Sequence, residues 1–332
     1  MAVYLVPLTL LAGGILLLVI GANLLIRGAV SIAMRLGISP LLVGLTIVAW
    51  GTSAPELAFN LIAAWQDKSA LVIGNTVGAN LCNLGLILGV CALIRPLTVH
   101  DSLIRFELPV MIGLFVALLA VALLPEVGLT GGLGRGEGVT LLAIFGVYSA
   151  MSIRKALRER EAHVALAEEV KQDELPDQPL GVPTAVLMIL GGLALLGGGG
   201  AMAAEGATGL ALAAGMSERV VAVTVVSLGT TLPELITALM AVRAKHVDLA
   251  VGNVVGSALF NVGAILPLAM LVSPADLPDG SLTSIIVLAG LAMVVWPICV
   301  THDRRIARFE GVILLVIYAA YMTLELVQSR GP

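Results

Sequence analysis

The sequence predicts an all-α polytopic membrane protein of ten transmembrane helices, arranged as two inverted five-helix repeats. Three observations carry that expectation. Of 332 residues, 59% are hydrophobic and only 12% charged, with a mean hydropathy of +1.05; a soluble chain of this length would carry about twice that charge. A hydrocarbon core of about 30 Å needs roughly 20 apolar residues per helix, and nearly the whole chain divides into runs of that length. The stretch Gly51-Thr52-Ser53-Ala54-Pro55-Glu56 recurs as Gly229-Thr230-Thr231-Leu232-Pro233-Glu234, 178 positions later.

The same offset carries Gly74-Asn75, Gly78 and Asn83 onto Gly252-Asn253, Gly256 and Asn261. Aligned without gaps, 41–88 and 219–266 share 20 identities in 48 positions, more than shared apolar composition explains. Apolar runs between charged or Pro/Gly-rich breaks place the spans near 5–33, 40–66, 70–94, 104–124, 138–153, 183–213, 219–242, 249–272, 282–300 and 308–327. Five helices per copy is an odd number, so the second copy enters the membrane from the opposite side.

The basic residues test this layout. If the odd-numbered loops are cytoplasmic, that side holds fourteen of the 18 Lys and Arg residues, leaving Lys68, Arg135, Arg219 and Arg330 opposite. The positive-inside rule then puts both termini outside. The copies form domains 1–153 and 183–332, joined by a cytoplasmic linker at 154–182. Its run Arg154-Lys155-Ala156-Leu157-Arg158-Glu159-Arg160 and later acidic pairs predict a solvated helix and tether.

Other features exclude other chemistries. Gly131-Gly132-Leu133-Gly134-Arg135-Gly136 has no βαβ context and is expected to be a turn. Cys82, Cys91 and Cys299 lie in apolar runs without metal-ligand spacing and are expected to pack as small apolar residues. The first run lacks a basic n-region and a small-residue cleavage site, so a retained helix is expected. His100, His163, His246 and His302 all fall in predicted cytoplasmic loops. No buried span pairs a Ser or Cys with a His, so no enzyme is expected.

The chemistry concentrates at the repeated motif. A glutamate at the centre of a spanning helix costs several kcal/mol, so such residues usually face a cavity. Pro55 and Pro233 remove a backbone donor and clash with the carbonyls of Gly51 and Gly229, breaking each helix. Thr52 and Glu56 are four apart, as are Thr230 and Glu234, so hydroxyl and carboxylate share a face. The partner stripes are Asn75, Ala79, Asn83 and Asn253, Ser257, Asn261, beside small-xxx-small pairs that permit close helix approach. Such an all-oxygen set favours Ca²⁺, Na⁺, Mg²⁺ or Mn²⁺ over Zn²⁺ or Cu⁺.

These paired motifs, with Gly-Asn-Thr-Val-Gly-Ala-Asn-Leu-Cys-Asn and Gly-Asn-Val-Val-Gly-Ser-Ala-Leu-Phe-Asn, resemble the two α-repeats of the calcium/cation antiporter superfamily, nearest its prokaryotic sodium/calcium exchanger branch. The resemblance implies a secondary antiporter of the inner membrane that exchanges Ca²⁺ for Na⁺ by alternating access. It implies that Glu56 and Glu234 bind the two ions in turn. Thr52, Ser53, Thr230, Thr231, Asn83, Ser257 and Asn261, with the backbone carbonyls of Ala49 and Ser227, would complete the sites. Helices one and six would slide across the rest, with Gly197 to Gly200 as a smooth surface. Ala79 stands where the family carries serine, and Asn261 where some exchangers carry a third acidic ligand.

The expected partners are the lipid bilayer and the transported Ca²⁺ and Na⁺, with no cofactor, nucleic acid or protein partner. A H⁺/Ca²⁺ antiporter is the alternative within the superfamily, since a buried glutamate can carry a proton. A cation channel and an intramembrane enzyme are the alternatives outside it.

Overall fold

A computed structural model describes residues 2–123, 133–169, 180–216, 227–274, 277 and 280–328. Its helices, in chain order, are α1 (Ala2–Leu36), α2 (Pro40–Thr52), α3 (Ala54–Trp65), α4 (Ser69–Ile94), α5 (Leu103–Leu123), α6 (Arg135–Glu169), α7 (Val182–Ala213), α8 (Ser227–Thr230), α9 (Leu232–Arg243), α10 (Val247–Val272), α11 (Ser281–Arg304) and α12 (Arg308–Gln328). The one strand pair among the described residues, β1 (Leu97–Thr98) with β2 (Arg305–Ile306), is antiparallel with Leu97 opposite Ile306.

Among the described residues, eight helices are long and apolar enough to cross a membrane, and the bent pair α2–α3 makes a ninth. The expected span at 219–242 begins outside the described residues and continues as α8 and α9. The expected Gly-rich turn at 131–136 lies partly outside them, and 170–179 of the linker wholly so. The apolar span expected to end at 153 ends at Lys155, and α6 continues through the linker's expected helix to Glu169, 35 residues in all, about 52 Å at 1.5 Å per residue. Its charged extension is rich in Ala, Leu, Arg and Glu without Gly or Pro, which carries helix beyond the apolar run.

The most extensive pairing joins α1 to α7. Gly14, Gly21 and Gly28 lie seven apart on α1, as do Ala185, Gly192, Gly199 and Gly206 on α7. A Cβ added at Gly14 would lie 2.7 Å from the Gly199 carbonyl, and one at Gly21 would lie 2.8 Å from that of Gly192. At Gly28 the nearest atom is the Ala185 carbonyl at 2.7 Å, and at Gly206 the Pro7 carbonyl lies within 2.5 Å. Rising numbers on one helix meet falling numbers on the other, so the pair is antiparallel. The offset of 178 maps these contacts onto each other: Gly14 with Gly199 becomes Gly192 with Gly21. The two ends of the pair are also tied, by Tyr4 Oη donating to the Ala213 carbonyl at 2.9 Å and by Arg35 Nε donating to the Leu180 carbonyl.

Contacts between connecting segments sort them onto two faces. On one, Val99 N–H donates to the Arg304 carbonyl, Arg304 pairs with Asp101 at 2.6 Å and His100 with Asp248 at 3.3 Å. On the other, Ser273 Oγ donates to Asp67 Oδ1 at 2.8 Å, and Arg135 Nε to the Leu271 carbonyl at 3.2 Å. His302, Asp303 and Arg304 close α11 with left-handed φ of 49°, 56° and 60°, a strained turn for side-chain-bearing residues. Glu310 braces it, accepting from Thr301 Oγ1 and from Ala307 N–H, each at 2.7 Å.

Candidate cation-binding site

Both copies of the motif break their helices where the prolines require. The interruption is a single residue, Ser53 (φ −84°, ψ 7°) between α2 and α3, and Thr231 (φ −88°, ψ 2°) between α8 and α9. Pro55 and Pro233 follow in the first turn, where their missing N–H is harmless. Glu56 and Glu234 are thus the third residues of α3 and α9, where the partial positive charge of a helix start favours a carboxylate.

Close packing brings the partner stripe into reach. A Cβ at Gly252 would lie 2.5 Å from the Leu41 carbonyl and one at Gly256 2.6 Å from that of Leu45, so only glycine lets α10 approach α2 this closely. For Gly74 and Gly78 no described atom lies within 4 Å; the related partner segment, 219–223, is outside the described residues. Both stripe helices widen into π-helical turns at related positions, Cys82–Ile87 in α4 and Asn261–Ile265 in α10. Such turns re-aim side chains and recur at functional sites.

The hydrogen bonds cross between copies. Thr52 Oγ1 donates to Asn253 Oδ1 and Thr230 Oγ1 to Asn75 Oδ1, each at 3.2 Å, and the repeat offset interchanges the two bonds. Ser53 Oγ donates to Glu234 Oε1 at 2.8 Å. Its counterpart Thr231 instead meets the Leu228 carbonyl at 3.2 Å and Cys82 Sγ at 3.5 Å. Ser257 Oγ lies 3.4 Å from the Ala49 carbonyl, which also accepts from Ser53 N–H at 3.0 Å and Thr52 Oγ1 at 3.3 Å. Ser227 heads α8.

Glu56 and Glu234 are each 1% exposed. Three of their four carboxylate oxygens have no hydrogen-bond donor, nor does Asn261 Oδ1; Asn83 has no partner at either side-chain atom. Unpartnered buried acceptors cost about 1–3 kcal/mol each, more when charged. No Lys, Arg or His is buried among the described residues. Nor do three or more His, Cys, Asp or Glu side chains converge there. The donor set is therefore two carboxylates plus hydroxyl, amide and carbonyl oxygens, suited to a hard cation.

The structure gathers Thr52, Ser53, Asn253 and Ser257 around the Ala49 carbonyl and Glu234, and ties Thr230 to Asn75. Asn75 and Asn253, noted in the sequence only as stripe residues, turn out to bridge the copies. Sequence reasoning missed a further buried polar group, Asn60, Thr76, Asn80 and Thr237, each at most 1% exposed. Their signal was available as amides and hydroxyls inside apolar runs, one of them a single turn beyond Glu56. The run Gly197 to Gly200 is not one surface. Gly199 meets α1, a Cβ added at Gly200 would lie 3.3 Å from Pro233, and one added at Gly197 or Gly198 would meet no described atom within 4 Å.

The broken-helix membrane fold with paired buried carboxylates is that of a polytopic membrane protein, and the proteins it matches are transporters, not enzymes. The chain belongs to the sodium/calcium exchanger protein family, whose model matches residues 6–154 and 184–327. It is a member of the calcium/cation antiporter superfamily, as the motifs implied, and a cation/Ca²⁺ antiporter by class. It is 34% identical to the putative antiporter CaxA of Alkalimonas amylolytica, over 94% of this chain and 96% of that protein. It is 30% identical to the sodium/calcium exchanger MaX1 of Methanosarcina acetivorans, over 93% and 95%. Its structure superposes on the sodium-calcium exchanger NCX_Mj soaked with 2.5 mM Na⁺ and 0.1 mM Ca²⁺, with a TM-score of 0.80 at 25% identity, covering 96% of this chain and 98% of that one.

Proposed function

We propose that this protein exchanges Ca²⁺ for Na⁺ across the inner membrane by alternating access, with Glu56 and Glu234 holding the ions in turn. The observation that carries this reading is the pair of buried carboxylates, one from each copy, with three donor-less oxygens between them and no buried basic side chain among the described residues. Desolvated negative charge of this kind needs a counter-charge, and in a transporter the cargo supplies it. Thr52, Ser53, Thr230, Thr231, Asn83, Asn261 and Ser257, with the carbonyls of Ala49 and Ser227, complete the coordination in this reading. The Ala49 carbonyl then exchanges the Ser257 hydroxyl for a cation.

Two further elements belong to the proposal. Ten helices form two inverted repeats, supported by the antiparallel α1–α7 pair whose contacts the repeat offset interchanges. Both termini lie outside, supported by the asymmetry of basic residues and by the sorting of loops onto two faces. Cysteines at positions 172 and 279 test this orientation: impermeant maleimide should label the first only from the cytoplasm and the second only from outside.

Coupling is tested by Ca²⁺ flux into proteoliposomes under separately imposed gradients. A Na⁺ gradient should drive uptake at symmetric pH. Uptake that follows only the pH gradient overturns Na⁺ coupling and establishes the proton alternative.

A further inference from the structure

We infer that the first repeat carries an additional monovalent-cation subsite, absent from the second, built from Asn60, Thr76 and Asn80 beside Glu56. This rests on the reading of Glu56 as a cation ligand. None of these three residues is repeated in the second copy. The repeat offset places Ala238, Val254 and Ala258 at the related positions, so the second copy builds the same helices with apolar side chains.

The hydrogen bonds fix how the two amides point. Asn60 Nδ2 donates to the Glu56 carbonyl at 2.8 Å, and Asn80 Nδ2 to the Thr76 carbonyl at 2.9 Å. A carbonyl only accepts, so one N–H of each amide bonds its own helix and each Oδ1 faces away from that carbonyl. Asn60 Oδ1, Asn80 Oδ1 and Thr76 Oγ1 are buried without a partner, as are both carboxylate oxygens of Glu56. Two amide oxygens, one hydroxyl and one carboxylate, on residues each at most 1% exposed, thus leave five buried oxygens without a hydrogen-bond partner.

Helix geometry places them together. A tight turn, with Gln66 N–H on the Ile62 carbonyl and Lys68 N–H on that of Ala63, folds α3 and α4 into a packed antiparallel hairpin. At 1.5 Å per residue, Asn60 and Thr76 both lie about 8–11 Å from that turn, and Glu56 and Asn80 both about 14–17 Å. At about 100° per residue, Thr76 sits roughly 20° and Asn80 roughly 60° around α4 from Asn83. The acceptors therefore extend the Asn75 to Asn83 stripe on the hairpin that carries Glu56.

One carboxylate with neutral oxygens balances a single positive charge, and hard oxygen donors suit an alkali cation. Na⁺ and K⁺ share this chemistry, and competition by each distinguishes them. The test variant is Asn60→Ala with Thr76→Val and Asn80→Ala, which installs the residues the second copy already uses. Purified protein in detergent is titrated with Ca²⁺ alone, then with Ca²⁺ against Na⁺ or against K⁺. The expected result is Ca²⁺ affinity within about threefold of wild type. Competition by the alkali cation that occupies the subsite should weaken about tenfold, with a Hill coefficient lower by about one. Unchanged competition by both cations overturns the subsite and leaves these oxygens as water ligands. Parallel loss of Ca²⁺ and alkali-cation binding overturns it by assigning them to the main site. Should the triple variant not purify as a monodisperse species, Asn60→Asp decides: the added carboxylate should tighten alkali-cation competition, and no change or weakening overturns the proposal. Glu56→Gln is run alongside. Retained Ca²⁺ binding there removes the reading on which the subsite rests, an outcome distinct from any result at Asn60, Thr76 and Asn80.

Discussion

The two copies of the motif are close in sequence but not equivalent in the assembled site. Glu234 is held by the first copy, through Ser53 Oγ at 2.8 Å, whereas both carboxylate oxygens of Glu56 lack a donor. Thr231, which occupies the place related to Ser53, is directed toward the Leu228 carbonyl and Cys82 Sγ. The position related to Cys82 is Phe260, which stacks on Trp50 with ring centroids 5.7 Å apart and also meets Phe145. One aromatic for a thiol thus fills one flank of the site with rings and leaves the other flank open to a hydroxyl. The lesson is that duplication supplies two carboxylates, and their neighbours decide which is anchored by a hydrogen bond and which keeps both oxygens bare.

The largest test asks whether both carboxylates are needed despite this asymmetry. Glu56→Gln and Glu234→Gln should each reduce Ca²⁺ flux in proteoliposomes by roughly a hundredfold or more, as expected when a desolvated cation loses about 3–5 kcal/mol of pairing. Near wild-type flux from either variant would take that residue out of the transport site.

The second test separates the glycine seam from its neighbours. Gly199→Ala drives a Cβ to 2.9 Å from the Gly14 carbonyl, and overpacking of this kind costs about 1–3 kcal/mol. Gly198 is exposed and has no described atom within 4 Å, so Gly198→Ala should be neutral or stabilising by up to about 1 kcal/mol. Thermal denaturation in detergent reads the difference, and equal shifts for the two would show that the seam does not hold α1 to α7.

The third sharpens the one feature that is symmetric. Thr52 with Asn253 and Thr230 with Asn75 make the same 3.2 Å bond across the copies. Double-mutant cycles with Thr→Val and Asn→Ala should return similar coupling energies in Ca²⁺ binding, about 0.5–1.5 kcal/mol each. Coupling in only one pair would extend the asymmetry of the carboxylates to the hydroxyls.

The smallest concerns charge. Glu56 and Glu234 ionised give a site charge of −2 with Asn261 neutral, which one Ca²⁺ or two Na⁺ cancel. Asn261→Asp should therefore tighten Na⁺ competition against Ca²⁺ by a few-fold. A wild-type Hill coefficient near three that does not change on this substitution would defeat the charge count and leave the family assignment intact.

Much of this molecule was written in its sequence because the bilayer enforces simple rules. Apolar runs of spanning length set the helices, since backbone groups in hydrocarbon must be satisfied within a helix. Pro55 and Pro233 set where two of them break, and the 178-residue offset set the duplication that puts one glutamate in each copy. Tertiary structure decided the rest. No local pattern announces the π-helical turns at Cys82–Ile87 and Asn261–Ile265, because a widened turn depends on what packs against it. The bonds from Thr52 to Asn253 and from Ser53 to Glu234 join residues 201 and 181 positions apart, a distance over which spacing carries no information. Asn60 and Asn80 read as ordinary amides until each is seen bonding a carbonyl of its own helix through its nitrogen, leaving two oxygens buried without a partner. The sequence determined which atoms could bind a cation, and packing alone determined which of them still lack a partner.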